Sequence, residues 1–262
     1  MPDHVVIGPR TDRYPWGRFG FANDAPWLEP LTLLTAIAAS TSTLRLATGV
    51  LIVPLRPAAL LAKTAATIDV LSGGRLELGV GTGWQQEEFE AQGLDFAQRG
   101  QMLTDTIGAC RALWRDSPAT FASPTVSFSD IWCDPKPVQA GGPPVLFSGT
   151  LTARNLKRIT ELGDGWIPIM GETISGIADG VQRITDAWRA VGRDPSTLRV
   201  RTTLPIVFDD DKRPDLGASL ATAPDLAAAG VTDVTLHLPA FVRDAANLDE
   251  WFAQLSKLWN DR

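Results

Sequence analysis

Residues Thr67 to Phe89 read TIDVLSGGRLELGVGTGWQQEEF, and the succession of residue types in this stretch decides the fold. It opens as the end of a helix. Leu71-Ser72-Gly73-Gly74 stops that helix, because glycine takes the left-handed cap conformation without a Cβ clash. Leu76, Leu78 and Val80 follow as a short buried strand. Gly79, Gly81 and Gly83 lie at the strand's end, where bare backbone lets a flat or anionic ligand come close. Trp84 and the acidic pair Glu87-Glu88 open the next segment, so the unit is helix, turn, strand, glycine loop and polar helix start.

Dinucleotide binding is the first idea this pattern raises, and the spacing disfavours it. The Rossmann fingerprint needs G-x-G-x-x-G. Here its third glycine position falls on Trp84, with the glycine one residue early at Gly83. Glycines alone also fit a tight strand-to-loop turn that binds nothing.

Outward from this stretch, the chain alternates strands and helices. Trp27 to Ser40 reads as a helix, Leu44 to Val53 as a buried strand, and Pro57 to Leu71 as a helix. Gln101 to Trp114 carries Leu103, Ile107, Cys110, Leu113 and Trp114 on one helical face. Residues 117–144 read as an inserted loop holding at most a hairpin. Strands at Val145–Phe147, Trp166–Ile169, Leu198–Phe208 and Val234–Leu238 are each followed by a helical pattern. His4-Val5-Val6-Ile7 reads as a stub of strand. Such alternation implies a parallel sheet, and an α/β TIM (β/α)8 barrel is the nearest closed architecture. A length of 262 residues suits a single barrel domain over 1–262.

The bulk composition narrows the function classes. Net charge is −6 with both signs spread along the chain, which lacks the basic patch of a nucleic-acid surface. Two cysteines, Cys110 and Cys133, make no disulfide framework, so a reducing cytoplasm is expected. Apolar runs are too short for a membrane span. The aspartates Asp209-Asp210-Asp211 read as a solvated turn, and no metal site is expected. The loop from Arg10 to Pro26 is long and carries Tyr14, Trp16, Phe19 and Phe21, which argues for a functional loop.

Several stretches together resemble the luciferase-like monooxygenase superfamily, and in particular its branch using the deazaflavin coenzyme F420. They are LRLATGVLIVPLRPAALLAKTAATIDVLSGGRLELGVGTGW from Leu44, EEFEAQGLDFAQRG from Glu87, PKPVQ at Pro135–Gln139, LGDGWIPI at Leu162–Ile169, and the pair Asp3-His4. The resemblance implies a flavin-type oxidoreductase: hydride transfer between F420 and a small, apolar substrate, or, as the alternative, an FMN-dependent monooxygenase using O2. A barrel that no longer catalyses and serves as a subunit is the rival from another class. A homodimer is expected from the family's habit.

The candidate site residues lie at the C-terminal ends of the strands, where barrel active sites lie, and the resemblance implies roles for His4, Thr48–Val50 and Ser148–Thr150. His4 would stand beside the flavin ring as donor or proton carrier, and its terminal position implies few packing contacts. Thr48, Gly49 and Val50 occupy the place where deazaflavin members carry a non-proline cis peptide behind the ring. Gly81, Thr82 and Gly83 form the glycine loop. Ser148, Gly149 and Thr150 precede a helix whose N-terminus would hold the cofactor phosphate. Trp84, Met170 and His237 would line the substrate pocket, although a packed barrel histidine also explains His237. The F420-dependent sugar-phosphate dehydrogenases carry an acidic glutamate after the Gly-Thr-Gly loop. Trp84 stands there in this chain, which disfavours that chemistry.

One more expectation concerns the start. Family members place a strand, a helix and most of a second strand before the Asp-His pair, whereas Met1 and Pro2 directly precede Asp3 here. On that reading the barrel lacks its first strand and helix, and the stub strand and the last strand present open edges. Rearrangement, a second chain, or a natural protein that starts further upstream would each close the gap.

Overall fold

The computed structural model describes residues 1–242 and 244–260. By its internal contacts the chain divides into two compact units, Met1–Gly165 and Trp166–Arg262.

In the first unit, α1 (Pro30–Ser40) starts where Pro30 presets the first turn and Glu29 accepts the Thr32 N–H at 2.6 Å. The predicted start at Trp27 is therefore three residues early; Trp27 belongs to the preceding loop. The predicted strand Leu44–Val53 is two short strands, β1 (Leu46–Ala47) and β2 (Leu51–Ile52), broken at Thr48–Val50 by a cis Gly49–Val50 peptide. After α2 (Ala58–Ser72), Gly73 takes φ +65° and the Gly74 N–H closes back on Asp69 O at 2.8 Å, the stop read from the sequence. Then β3 (Leu76–Gly81) is buried along its whole length.

Beyond it come α3 (Gln86–Glu90), α4 (Arg99–Arg115), β4 (Ala119–Ala122), β5 (Ser127–Ile131), β6 (Val145–Ser148) and α5 (Ala153–Glu161). Both β1 and β2 pair with β3 in parallel, and β3 pairs with β6 in parallel. β4 and β5 form the antiparallel hairpin that the inserted segment allowed. Ala62, Ala65, Ala66 and Ile68 from α2 are buried, as are Leu103, Ile107 and Leu113 from α4. Trp114 joins the two helices by donating its indole N–H to Ala62 O at 3.0 Å.

His4 to Ile7 is not a strand. Its backbone is tied by side chains from elsewhere in the unit, so no ladder partner sets its conformation.

Two of the family-like motifs are structural ties. Buried Asp69 accepts from the Gln139 backbone N–H at 3.0 Å and from its side-chain amide at 2.7 Å, which joins the PKPVQ segment to α2. Asp164 of LGDGW accepts from the Val145 N–H at 2.8 Å and from Arg111 at 2.5 Å, fixing the start of β6.

The second unit holds β7 (Gly165–Ile167, beginning one residue before the division), α6 (Ile174–Ala190), β8 (Arg199–Thr203), β9 (Val207–Phe208), β10 (Pro214–Asp215), α7 (Leu216–Leu220), α8 (Ala223–Ala228), β11 (Asp233–Thr235), α9 (Leu238–Phe241) and α10 (Leu248–Asn260). β8 and β11 are parallel, with Asp233 beside Arg201. The predicted strand Leu198–Phe208 is interrupted after Thr203; β9 instead pairs antiparallel with β10 around the exposed Asp209–Asp211 turn. Ile177, Ile184 and Trp188 bury one face of α6, and Trp166 lies against Gly180, where a Cβ would come within 2.5 Å of its ring. Strand β11 ends at Thr235, so His237 is not a strand residue: it is exposed at the N-terminus of α9. Neither a barrel-strand place nor a packed-core place fits it. No helix among the described residues is long and apolar enough to cross a membrane.

Candidate functional site

The register of the first unit brings three strand ends level. Ile52 pairs with Gly81, and Phe147 pairs with Val80, so Ser148 follows at the height of Gly81. A Cβ on Gly81 would meet Val50 Cγ2 at 2.9 Å and Ser148 Oγ at 3.2 Å. Val50, Gly81 and Ser148 thus surround one point, and glycine is required there by its neighbours. Gly83 has φ +75°, and a Cβ would approach Ile52 at 2.7 Å, so this glycine too is explained by packing. Thr48 is fully buried and donates its hydroxyl to Gly79 O at 2.7 Å; it braces the kink between β1 and β2. Thr82 is half-buried beside these residues in sequence.

Ser148, Gly149 and Thr150 lead into α5. Gly149 has φ +107°, which favours glycine there. Thr152 caps the helix by accepting the Asn155 N–H at 3.2 Å. The Asn155 side chain donates to Ser148 O at 3.2 Å and Thr150 O at 3.3 Å, so the loop is pinned to the helix's first turn. The Asn155 Oδ1 atom is buried with no protein partner.

The Asp3-His4 pair is buried and held on both sides. Asp3 accepts from the Ile52 N–H at 2.7 Å and from Arg56 at 2.6 and 3.0 Å, which anchors it to the end of β2. Arg56 also donates to Glu29 at 2.8 Å. Burial pushes the Glu29 carboxyl up, but the donors Arg56 and Thr32 outweigh it and hold the group below the usual carboxylate range. His4 Nδ1 lies 3.2 Å from Glu88 Oε2, and the Val5 N–H donates to Glu88 Oε1 at 2.5 Å.

Three rings stand edge-on to the imidazole: Trp27 at 4.9 Å, Phe19 at 5.9 Å and Trp84 at 5.9 Å between centroids. Tyr14 packs on Trp84 at 5.1 Å and on Phe19 at 5.5 Å. The aromatic loop therefore closes over His4 and Trp84. The expectation that His4 makes few packing contacts is not met, because the loop residues Phe19 and Trp27 fold back onto it.

Sequence reading missed Gln85, Glu88, Asn155 and Arg56. Gln85 and Glu88 are three apart and both buried, the spacing of one helical face. Met170 and His237 lie in the second unit, both solvent-exposed.

Comparison with known proteins identifies the family and the fold. The family model described as luciferase-like monooxygenase matches residues 12–214. The chain belongs to the luciferase-like monooxygenase family. Uncharacterized protein Rv0953c of Mycobacterium tuberculosis is 36% identical over 212 residues, covering 81% of this chain and 70% of that protein. The FMNH(2)-dependent dimethylsulfone monooxygenase of Pseudomonas putida is 30% identical over 159 residues, 60% of this chain and 43% of that protein. The chain thus spans less than half of this second relative. Among solved structures, the coenzyme F420 dependent tetrahydromethanopterin reductase from Methanopyrus kandleri is similar with a TM-score of 0.64 at 16% identity, over 80% of this chain and 81% of that one. That likeness is one of fold: an α/β chain of the luciferase-like TIM-barrel class.

Proposed function

We propose that this luciferase-like chain is an F420-dependent oxidoreductase that moves hydride to or from a small apolar substrate. The single observation that carries the reading is the convergence of Val50, Gly81 and Ser148 at parallel strand ends, directly before the N-terminus of α5. A flat ring system would lie over these strand ends, where Val50 and Ser148 pack closely around Gly81. The phosphate would sit at Ser148, Gly149 and Thr150, where first-turn N–H groups and the helix dipole favour an anion. The Asn155 amide NH2, donating to Ser148 O and Thr150 O, holds that loop in place for it. Thr48 and Gly49 would back the ring, with Thr82 and Gly83 at its edge. When bound, the deazaflavin supplies the hydride chemistry, and the protein supplies binding and orientation.

His4 would hold or move a proton at its free ring nitrogen. Trp84, with Tyr14 and Phe19, would exclude water and favour an apolar substrate. A single catalytic domain, a homodimer and a cytoplasmic setting belong to the same reading.

The second reading is an FMN-dependent monooxygenase, favoured by the likeness to the dimethylsulfone enzyme. Charge on α5 supports F420 over FMN. Arg154, Lys157 and Arg158 line a cavity of about 250 Å³ with Gln101, Thr104 and Glu161. Burial and the neighbouring Arg154 charge push the Arg158 pKa down, so an anion is welcome there. F420 carries an acidic oligoglutamate tail beyond its phosphate, whereas FMN ends at the phosphate.

Titration of the purified protein with F420 and with FMN, followed by fluorescence, tests the reading. Saturable F420 binding is expected. Binding of FMN alone would transfer the chain to the monooxygenase reading, and binding of neither would favour a non-catalytic barrel.

A further inference from the structure

Glu88 is fully buried, and both of its oxygens are engaged by consecutive residues, Oε2 by His4 and Oε1 by Val5. Acids are almost never buried this completely unless paired. A carboxylate only accepts hydrogen bonds, so an ionised Glu88 assigns the hydrogen to the His4 Nδ1 that faces it at 3.2 Å. In the neutral ring the lone pair then falls on Nε2. Trp27, Phe19 and Trp84 stand edge-on around the imidazole and oppose its rotation.

We propose that Glu88 is a positioning residue, which locks His4 in the Nδ1–H tautomer and leaves Nε2 as the ring's sole proton acceptor. This rests on the oxidoreductase reading above, where that acceptor is the group offered to substrate or cofactor. Glu88 touches neither; it acts through His4. The same carboxylate fixes the backbone at Val5, so ring orientation and chain path are set by one group. Second-sphere carboxylates that orient a working histidine act in this way at metal sites, and the physics needs no metal.

The chain has two histidines, His4 and His237, which makes the tautomer directly readable. Protein labelled with 15N-histidine would be examined by long-range proton–nitrogen NMR at about pH 8.5, well above the ordinary imidazole pKa. His237→Gln assigns the signals. The expected result for His4 is a protonated Nδ1 and a bare Nε2. In Glu88→Gln the amide oxygen stays with the Val5 N–H, its NH2 turns to Nδ1, and the tautomer reverses.

A wild-type His4 protonated at Nε2, as a protonated Glu88 would enforce, overturns the proposal. So does a folded Glu88→Gln protein that keeps the wild-type tautomer. The wild-type spectrum decides the matter even where the variant does not fold. A protein that binds neither F420 nor FMN, yet shows the Nδ1–H tautomer and its reversal, retires the cofactor reading while the Glu88–His4 pair stands.

Discussion

Gln85 grips the backbone of Gly8 with both ends of its amide: Oε1 accepts the Gly8 N–H at 2.9 Å, and Nε2 donates to Gly8 O at 3.2 Å. Gly8 immediately precedes the aromatic loop, and a Cβ there would meet Glu87 Cβ at 2.6 Å. The clamp is therefore where the loop is fastened to the segment after β3. Gln85→Ala leaves two backbone groups of Gly8 without that partner, at a cost of about 1–3 kcal/mol for each group that stays buried and unpaired. Hydrogen exchange should quicken in residues 9–27 and leave β3 unchanged. Uniform quickening across the first unit would show that the clamp is not local.

The phosphate assignment is best tested at Thr150. Gly149 is a poor choice, since its φ of +107° would strain any side chain. Thr150 is exposed, so Thr150→Asp should leave the melting temperature unchanged while placing a negative charge at the helix start. Cofactor affinity should fall at least tenfold, which corresponds to about 1.4 kcal/mol. Unchanged affinity in the titration would remove the phosphate from this loop.

The charges on α5 offer a test between the two cofactors. Arg154→Glu with Lys157→Glu should weaken F420 binding severalfold and leave FMN binding as it was. Lys157 pairs only loosely with Glu161, at 3.8 Å on the surface, so little stability is lost. Equal effects on both ligands, or none, would disconnect this cavity from the F420 tail.

Glu29 gives the acid limb of stability. Its folded-state pKa lies below the ordinary value of 4.5, so the native state takes up its proton later than the unfolded chain does. The contribution is intact above about pH 4.5 and is lost as pH falls through the folded value. Melting temperature measured from pH 3 to 6 should fall less steeply for Glu29→Gln than for the wild type. A parallel slope would mean that other carboxylates dominate there.

What was legible in the sequence follows from how local each cause is. The Leu71–Gly74 stop, the buried strand after it and the face of α4 rest on glycine geometry and periodicity, and the structure has them where the residues put them. The stretch Leu44–Val53 was misread as one strand, because a continuous apolar run does not reveal a kink at Gly49–Val50. His4–Ile7 differs for another reason: its partner, Glu88, lies about eighty residues away. In sequence Glu88 is one acid of a polar helix start, and acids are usually exposed. Only the fold shows it buried beneath His4. His237 was placed in a strand that ends two residues earlier, the ordinary uncertainty of a strand boundary.

The aromatic loop also has a chemical singularity. The chain contains one tyrosine, and it is Tyr14, set against Trp84 at 5.1 Å and Trp16 at 5.3 Å. Reagents selective for phenols therefore label this loop and nothing else. Burial raises the Tyr14 pKa, so nitration, which proceeds through the phenolate, should be slower than for an exposed tyrosine. Energy passed from that lone phenol to the neighbouring indoles would report the same packing by light. The protein thus carries a built-in probe of the packing over His4, with no foreign dye required.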